Sequence, residues 1–366
     1  EHGLIDQVEF FNKRVAAKDV SGYFHLKRGE FAYNRSSMKG YPCGATKRLD
    51  RYEDGALSTL YLCIGLRPGA GITSDFAAQL FDSGQLDTEL RPIARVGARA
   101  HGLLNVTPSD FMEVPFPLPP LPEQKKIAAI LSSVDEAIQA TQAVIEQTRR
   151  VKEGLLQDLL TRGIGHTRFK QTEIGEIPES WEVRKLGQLC RARQGLQIPI
   201  SDRSPRPGPG LFKYLTVKFL NNPDMPPQYV PASSPRVIIR QDGLLVSRTG
   251  ATGKILRNVD GVFHNNFFAV DSELDRDFLY HALNDRRVQD WIRRLAGTTS
   301  IPDLNHGDFY FIRVPVPGMD EQREIAAILD RSEESLANAA NTVTALNGVK
   351  AGLLQDLLTG KVRVSV

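Results

Sequence analysis

Two stretches of the chain decide its fold: EQKKIAAIL at residues 123–131 and EQREIAAIL at residues 321–329. Each is followed at the same distance by a second near-copy, VKEGLLQDLLT at 151–161 and VKAGLLQDLLTG at 349–360. The offset is 198 residues at both places, with no insertion between them. One long segment therefore occurs twice, with different residues in front of each copy.

The repeated segment has the apolar spacing of one long α-helix. In the first copy, apolar or small residues recur in alternating steps of three and four from Ile127 to Leu155, which is typical of a helix with one buried stripe. A first-turn proline and a terminal glycine mark its ends. We predict helices over about 122–160 and 320–360. Because one helix cannot bury its stripe alone, the two are expected to pack antiparallel.

The repeat extends upstream of both helices. SDFMEVPFPLPPLPEQ (109–124) aligns with GDFYFIRVPVPGMDEQ (307–322), and both patterns predict a final strand followed by a stiff, proline-rich connector. Further back, GEFAYNR (29–35) and DGLLVSR (242–248) predict the same strand in both halves. We expect an irregular α+β domain in front of each helix.

The predicted fold class is therefore α+β, with two irregular α/β domains separated by two long, antiparallel, coiled-coil-like helices in a pseudo-two-fold internal repeat. The second domain has a long segment before its DGLLVSR strand, whereas the first has only about 30 residues before its counterpart, so we expect the first domain to be truncated at its N-terminus. The predicted boundaries are 1–118 for the first domain, 119–163 for the central helix, 164–318 for the second domain with its leading linker, and 319–366 for the C-terminal helix.

Composition limits the classes of function. A chain of 366 residues is long enough for two cores, and no apolar run approaches the roughly 20 residues that span a bilayer. The three cysteines, Cys43, Cys63 and Cys190, fit no metal-ligand spacing and indicate a reducing cytoplasm. The seven histidines are equally scattered, so we predict no metal site.

Two motifs resemble catalytic sites but lack key residues. SRTGATGKI (247–255) is similar to a phosphate-binding loop, yet Arg248 replaces its first glycine and Ile255 its magnesium-binding hydroxyl residue. DMPPQY (224–229) is similar to the Asp/Asn-Pro-Pro-Tyr/Phe motif of adenine methyltransferases, but two insertions interrupt it. No glycine-rich turn suited to S-adenosylmethionine accompanies it. We therefore predict no catalytic residue and no bound cofactor in this chain.

The repeated helices and the segments in front of them resemble the specificity subunit of type I restriction-modification systems. The resemblance is carried by PLPPLPEQKKIAAIL, GLLQDLLT, the duplication of that block, and EIGEIPESWEVRKLGQL (173–189) at the start of the second domain. It implies two target-recognition domains, each reading one half of a split DNA sequence, and paired helices that set the spacing between the half-sites.

The resemblance also implies partners. These are double-stranded DNA, two methyltransferase subunits that bind S-adenosylmethionine, and a restriction subunit that uses ATP and magnesium. The location it implies is the bacterial or archaeal cytoplasm, associated with the nucleoid and without a membrane. The first turn of the central helix, Glu123 to Lys126, is a candidate methyltransferase interface; a solvated charged turn is the alternative.

Residues suited to DNA contact follow the matched strands. YNRSSMKG (33–40) and SRTGATGK (247–254) each combine arginine, hydroxyl residues, glycine and lysine, which suit phosphate and base-edge contacts. RAHG (99–102) and GTTS (297–300) form a second pair of candidate loops. The candidate DNA-binding residues are Asn34, Arg35, Ser36, Lys39, Arg99, Arg248, Thr249, Thr252, Lys254, Thr298 and Thr299.

Other interpretations remain open at this stage. The two turns are equally consistent with solvated tight turns, and Arg286, Arg287, Arg293 and Arg294 with the solvated face of a helix. For the whole chain, the alternatives are a stand-alone adenine-N6 DNA methyltransferase and a scaffold protein that does not bind DNA.

Overall fold

The computed structural model describes residues 3–16, 19–38, 40–94, 104–222, 224–297 and 302–365. The chain divides into two compact units, Glu1–Ala143 with Ala340–Val366, and Val144–Ala339. We call these unit 1 and unit 2. Each unit contains parts of both long helices and one of the two α+β domains. We call these the variable domains, because their sequences differ while the helices repeat. Within the described ranges, no helix is both long and apolar enough to cross a bilayer.

The described residues form eleven α-helices and two short 3-10 helices. The α-helices are α1 (Gln7–Phe11), α2 (Ser74–Asp82), α3 (Asp87–Leu90), α4 (Pro108–Met112), α5 (Leu121–Leu159), α6 (Leu186–Leu189), α7 (Val217–Asn221), α8 (Arg276–Asn284), α9 (Arg286–Leu295), α10 (His306–Phe311) and α11 (Met319–Leu358), and the 3-10 helices are Ile200–Asp202 and Pro235–Val237.

Seventeen strands, also counted over the described residues, belong to small sheets. They are β1 (Phe24–Lys27), β2 (Phe31–Asn34), β3 (Ala45–Arg48), β4 (Asp54–Leu57), β5 (Tyr61–Ile64), β6 (Phe169–Thr172), β7 (Gly175–Pro178), β8 (Glu182–Lys185), β9 (Cys190–Gln194), β10 (Leu211–Leu215), β11 (Tyr229–Pro231), β12 (Ile238–Ile239), β13 (Leu244–Ser247), β14 (Ile255–Leu256), β15 (Gly261–Phe263), β16 (Phe267–Ser272) and β17 (Arg313–Val316).

The two long helices confirm the prediction from periodicity. α5 has 39 residues and α11 has 40, and their stripes supply core residues in both units. In unit 1, Ile127 and Leu131 of α5 share a buried cluster with Leu357 and Leu358 of α11 and with side chains of α2. In unit 2, Leu159 of α5 lies in the same cluster as Ile325 and Leu329 of α11. The start of each helix thus packs in the same core as the end of the other.

The matched strands occupy the same place in the two domains. In unit 1, β2 lies between β3 and β5, and in unit 2, β13 lies between β14 and β16, with antiparallel pairing throughout. The order β3-β2-β5 therefore corresponds to β14-β13-β16. Unit 2 adds β9 beside β16. This confirms that GEFAYNR and DGLLVSR each contribute a strand that lies between two antiparallel neighbours.

The predicted final strand is confirmed only in the second domain. β17 pairs antiparallel with β8, which begins the second domain. In unit 1, residues 113–120 between α4 and α5 form no strand, so the prediction is wrong there. The physical reason is the partner: a strand forms only when its backbone groups are paired, and the described residues of unit 1 contain no counterpart of β8.

Candidate nucleic-acid interface

The turn after β13 is a closed loop that depends on two glycines. Ser247 N–H donates to Lys254 O at 2.9 Å, and Gly253 N–H donates to Ser247 O at 2.8 Å. Gly250 and Gly253 have φ of 81° and 82°, the left-handed region that favours glycine. A Cβ on Gly253 would also lie 2.6 Å from Cγ2 of Ile292 in α9. The sequence therefore fixes this turn against α9.

Arg248, the arginine predicted to contact a base, is bound within the protein. Its Nε and Nη2 donate to the two carboxylate oxygens of Asp303 at 2.6 and 2.7 Å. Hydrogen bonds from Arg248 hold the pKa of the Asp303 carboxyl below its usual value, so the pair is ionised at neutral pH. Asp303 was not predicted from the sequence, because a pairing between residues 55 positions apart has no local signal.

The turn after β13 contacts the segment at 302–304, which follows the second predicted loop in the sequence. Thr252 Oγ1 donates to Pro302 O at 2.9 Å, and Leu304 N–H donates to Arg248 O at 3.1 Å. Of the predicted residues on this turn, Thr249 is half-buried and Lys254 is exposed. Thr298 and Thr299 lie outside the described residues.

Unit 1 has a similar backbone link between the end of β2 and Leu104. Leu104 N–H donates to Arg35 O at 2.7 Å, the counterpart of the link from Leu304 to Arg248. The Arg35 guanidinium is also used internally, since its Nε donates to Leu60 O at 2.9 Å. Ser36 N–H donates to Asn34 Oδ1 at 3.1 Å, which stabilises the strand end. Lys39 and Arg99 lie outside the described residues.

The arginines of α9 are exposed, but two of them pair with acidic residues in the helix or at its N-cap. Arg287 Nε donates to Asp285 Oδ1 at 3.0 Å, and Arg293 pairs with Asp290. Arg294 donates to a backbone carbonyl of the same helix. The two ion pairs reduce the net charge that α9 presents to solvent.

The first turn of the central helix is partly internal, which corrects both sequence interpretations for Glu123 and Gln124. Glu123 and Gln124 are 3% and 0% exposed, so neither is available to a partner protein and neither is solvated. Glu123 accepts hydrogen bonds from the Arg363 guanidinium and from Val364 N–H, just beyond the end of α11. Lys125 and Lys126 are exposed. The sequence alone could not show which residues of this turn are buried and which are exposed, because all four are polar.

Gln124 and its repeat partner Gln322 make the same hydrogen bonds. Gln124 accepts from Thr73 N–H, at the N-cap of α2, and Gln322 accepts from Asp275 N–H, at the N-cap of α8. Their amide groups donate to Pro119 O and Pro317 O, five residues earlier in each case. Each glutamine therefore joins the start of a long helix to the domain that precedes it.

An acidic cluster in unit 2 is already neutralised by protein cations. His281, Asp330 and Glu333 place possible ligand atoms within 4.8 Å of one another. Arg257, however, donates to Asp330 at 2.6 Å and to Glu333 at 2.6 Å, and Lys152 binds Glu333 at 2.6 Å. Positive charge thus lies where a metal ion would have to bind, and the cluster serves to attach the second domain to both helices.

Comparison with known proteins identifies the family. The family model described as type I restriction modification DNA specificity domain matches residues 54–148 and 178–345. The MjaVIII specificity subunit, a type I restriction enzyme subunit of Methanocaldococcus jannaschii, is 28% identical over 284 residues, which cover 72% of this chain and 65% of the relative. The putative MjaX specificity subunit of the same organism is 28% identical over 282 residues, covering 74% and 64%. The matched part is thus just under two thirds of each relative's length.

Two solved structures share the fold. The type I restriction-modification S subunit from M. genitalium aligns with a TM-score of 0.60 at 18% identity, covering 94% of this chain and 87% of that one. A chain from a study of complex assembly and conformational transition in the type I R-M system aligns with a TM-score of 0.58 at 19% identity, covering 92% and 83%. Because the family model matches most of the sequence in two regions, the chain belongs to the family of type I restriction modification DNA specificity domains.

Proposed function

We propose that this chain is the DNA-specificity subunit of a type I restriction-modification complex. In this proposal each variable domain reads one half of a bipartite target, and the paired helices set the spacer and dock two methyltransferase subunits. The observation that carries the proposal is the construction of the chain, in which one helix framework occurs twice behind two different domains. A repeated helix pair that carries two different domains suits a protein that holds two DNA-recognition domains on one duplex.

Matched contacts support an antiparallel, coiled-coil-like pair with pseudo-two-fold symmetry. Lys350 binds Asp135 at 2.6 Å in unit 1, and Lys152 binds Glu333 at 2.6 Å in unit 2. Both members of one pair are related to those of the other by the 198-residue offset of the repeat. The shared role of Gln124 and Gln322 follows the same relation. Such agreement is expected when the two halves of the frame have equivalent environments.

The proposed complex places the chemistry in its partners. S-adenosylmethionine is expected in the methyltransferase subunits, and ATP with magnesium in the restriction subunit, while this chain is non-catalytic. The names of the curated relatives describe specificity subunits, and one solved relative comes from work on complex assembly, which supports a role within a complex. We place this complex in the cytoplasm, associated with the nucleoid.

A DNA-binding experiment tests the proposal. The purified chain, with and without its methyltransferase subunits, is titrated with duplex DNA over a range of salt concentrations. We expect binding that weakens steeply with salt and becomes sequence-specific in the complex. Absence of DNA binding by the complex would contradict the proposal, and S-adenosylmethionine binding by the isolated chain would favour the stand-alone methyltransferase instead.

A further inference from the structure

α7 lies directly beside the turn after β13. A Cβ on Gly250 would be 3.0 Å from Cγ1 of Val217, the first residue of α7. Val217 is buried at 8% exposure and belongs to the same core cluster as Leu245 of β13. The two segments, which are about 30 residues apart in sequence, are thus packed against each other.

The position of α7 is fixed by contacts on both sides. Thr216 caps the helix, with its Oγ1 accepting from Phe219 N–H at 3.2 Å. The ammonium group of Lys213 in β10 lies 4.2 Å from the centre of the Phe219 ring, a favourable cation–π distance. Anchored in this way, α7 presents its remaining polar side chains at defined positions.

Those remaining side chains are exposed and chemically suited to DNA. Lys218, Asn221 and Asn222 of this segment are exposed, as is Lys254 at the end of the neighbouring turn. Among the described residues, neither Lys218 nor Lys254 forms an ion pair, and no hydrogen bond is formed by the amide group of Asn221. A lysine ammonium group can bind a DNA phosphate. The side-chain amide of asparagine can form two hydrogen bonds with the donor and acceptor groups that adenine presents in the major groove.

Arg248 differs from these groups because its guanidinium is occupied by Asp303. Both of its forked hydrogen bonds go to that carboxylate, and its backbone is fixed by Asn266 O and Leu304 N–H. A guanidinium held in this way joins two segments, and its Nε–Nη2 edge is taken by the carboxylate.

We propose that α7 and the turn after β13 form one DNA-contacting surface, in which Lys218 and Lys254 contact phosphates and Asn221 contacts a base edge. Arg248 is a positioning residue of this surface, held by Asp303. The inference rests on the proposed DNA-specificity function and assigns the contacts within the second domain.

The contact residues are tested in the complete methyltransferase complex by measuring DNA affinity against salt concentration and by sequencing the methylated sites. Lys218→Ala should weaken binding to all sequences and make the slope of log K against log salt shallower by about 1. Asn221→Ala should leave the slope unchanged but relax selection at one or two positions of one half-site, with about tenfold lost discrimination there. The matched control is Lys170→Ala, an exposed lysine on the β6–β7 hairpin, which should change neither quantity.

The positioning role is tested by exchanging the charges of the pair. Arg248→Ala and Asp303→Ala should each reduce discrimination in the same half-site, and the double variant Arg248→Asp with Asp303→Arg should recover part of it. If Arg248 instead contacted DNA, the exchange would move the guanidinium to position 303 and would not recover discrimination. Thermal melting of each variant identifies any loss caused by unfolding, and recovery in the exchanged variant cannot arise from unfolding.

The outcomes separate this inference from the proposed function. A wild-type complex that binds no DNA would refute the proposed function itself. A wild-type complex that methylates a bipartite site, with folded Lys218→Ala and Asn221→Ala variants that behave like the Lys170→Ala control, would overturn the inference alone.

Discussion

Gln322 is buried, and its side-chain amide forms hydrogen bonds with two backbone groups, Asp275 N–H and Pro317 O. Replacing it with alanine leaves Asp275 N–H and Pro317 O unpaired at a site that is 2% exposed. We expect the free energy of unfolding to fall by about 1–3 kcal/mol, measured by urea denaturation. Gln355→Ala, an exposed glutamine on the same helix, is the control and should change it by less than about 0.5 kcal/mol. Equal effects at both positions would contradict the role of Gln322.

His281 gives unit 2 a sensitivity to acid. It is 1% exposed, and burial lowers its pKa although Nε2 lies 2.7 Å from Asp330, with Arg257 and Glu333 in the same cluster. An unfolded chain protonates histidine near pH 6.5, whereas the folded unit keeps it neutral, so stability must fall as the pH drops below about 6.5. The melting temperature should therefore decrease from about pH 7 to about pH 5.5. His281→Gln should flatten this decrease. An unchanged pH dependence in that variant would contradict the role of His281 in acid sensitivity.

The candidate site shows what sequence can and cannot provide at this scale. The motif at 247–254 correctly located a tight turn at a strand end, because glycines at positive φ leave a clear pattern. It could not show that Arg248 is bound by Asp303, since that partner is brought close only by folding. α7 was missed for the same reason: VKFLN has no periodicity of its own, and its importance comes from packing against Gly250.

The two helix-to-helix ion pairs should contribute equally if the frame is pseudo-symmetric. Both pairs are half-buried, at 26% and 26% exposure for Lys152 and Glu333 and 18% and 29% for Lys350 and Asp135. Double-mutant cycles with alanine should give coupling energies of about 0.2–1 kcal/mol for each pair, decreasing with added salt. Coupling in one pair and none in the other would contradict the equivalence.

Whole elements were predicted to different degrees. α5 and α11 were located to within a residue or two because their buried stripe repeats over many turns. The strand predicted before each helix exists only where β8 pairs with β17, because a strand depends on a neighbour that lies far away in the sequence. The small sheets of the two domains, with strands of two to six residues, carry too few positions for a periodic pattern, so their order could not be deduced.

At the scale of the molecule, the length of the helices should set the spacer. Removing one seven-residue repeat of the apolar stripe from both α5 and α11 shortens each helix by about 10 Å and leaves the rest of the stripe in register. We expect the methylated target to keep both half-site sequences and to change the number of bases between them. The measurement is methylome sequencing of a host that carries the altered chain with its partners. An unchanged spacer would contradict the ruler role.

The most direct test of the central claim exchanges one variable domain. Residues 178–318 are replaced by the corresponding domain of a relative with a known target, both long helices are kept, and the methylated sites in the host are sequenced. If each domain reads its own half-site, one half of the bipartite sequence should change to that of the relative while the other half and the spacer remain. A chain that kept its original target, or that changed both halves together, would contradict the account.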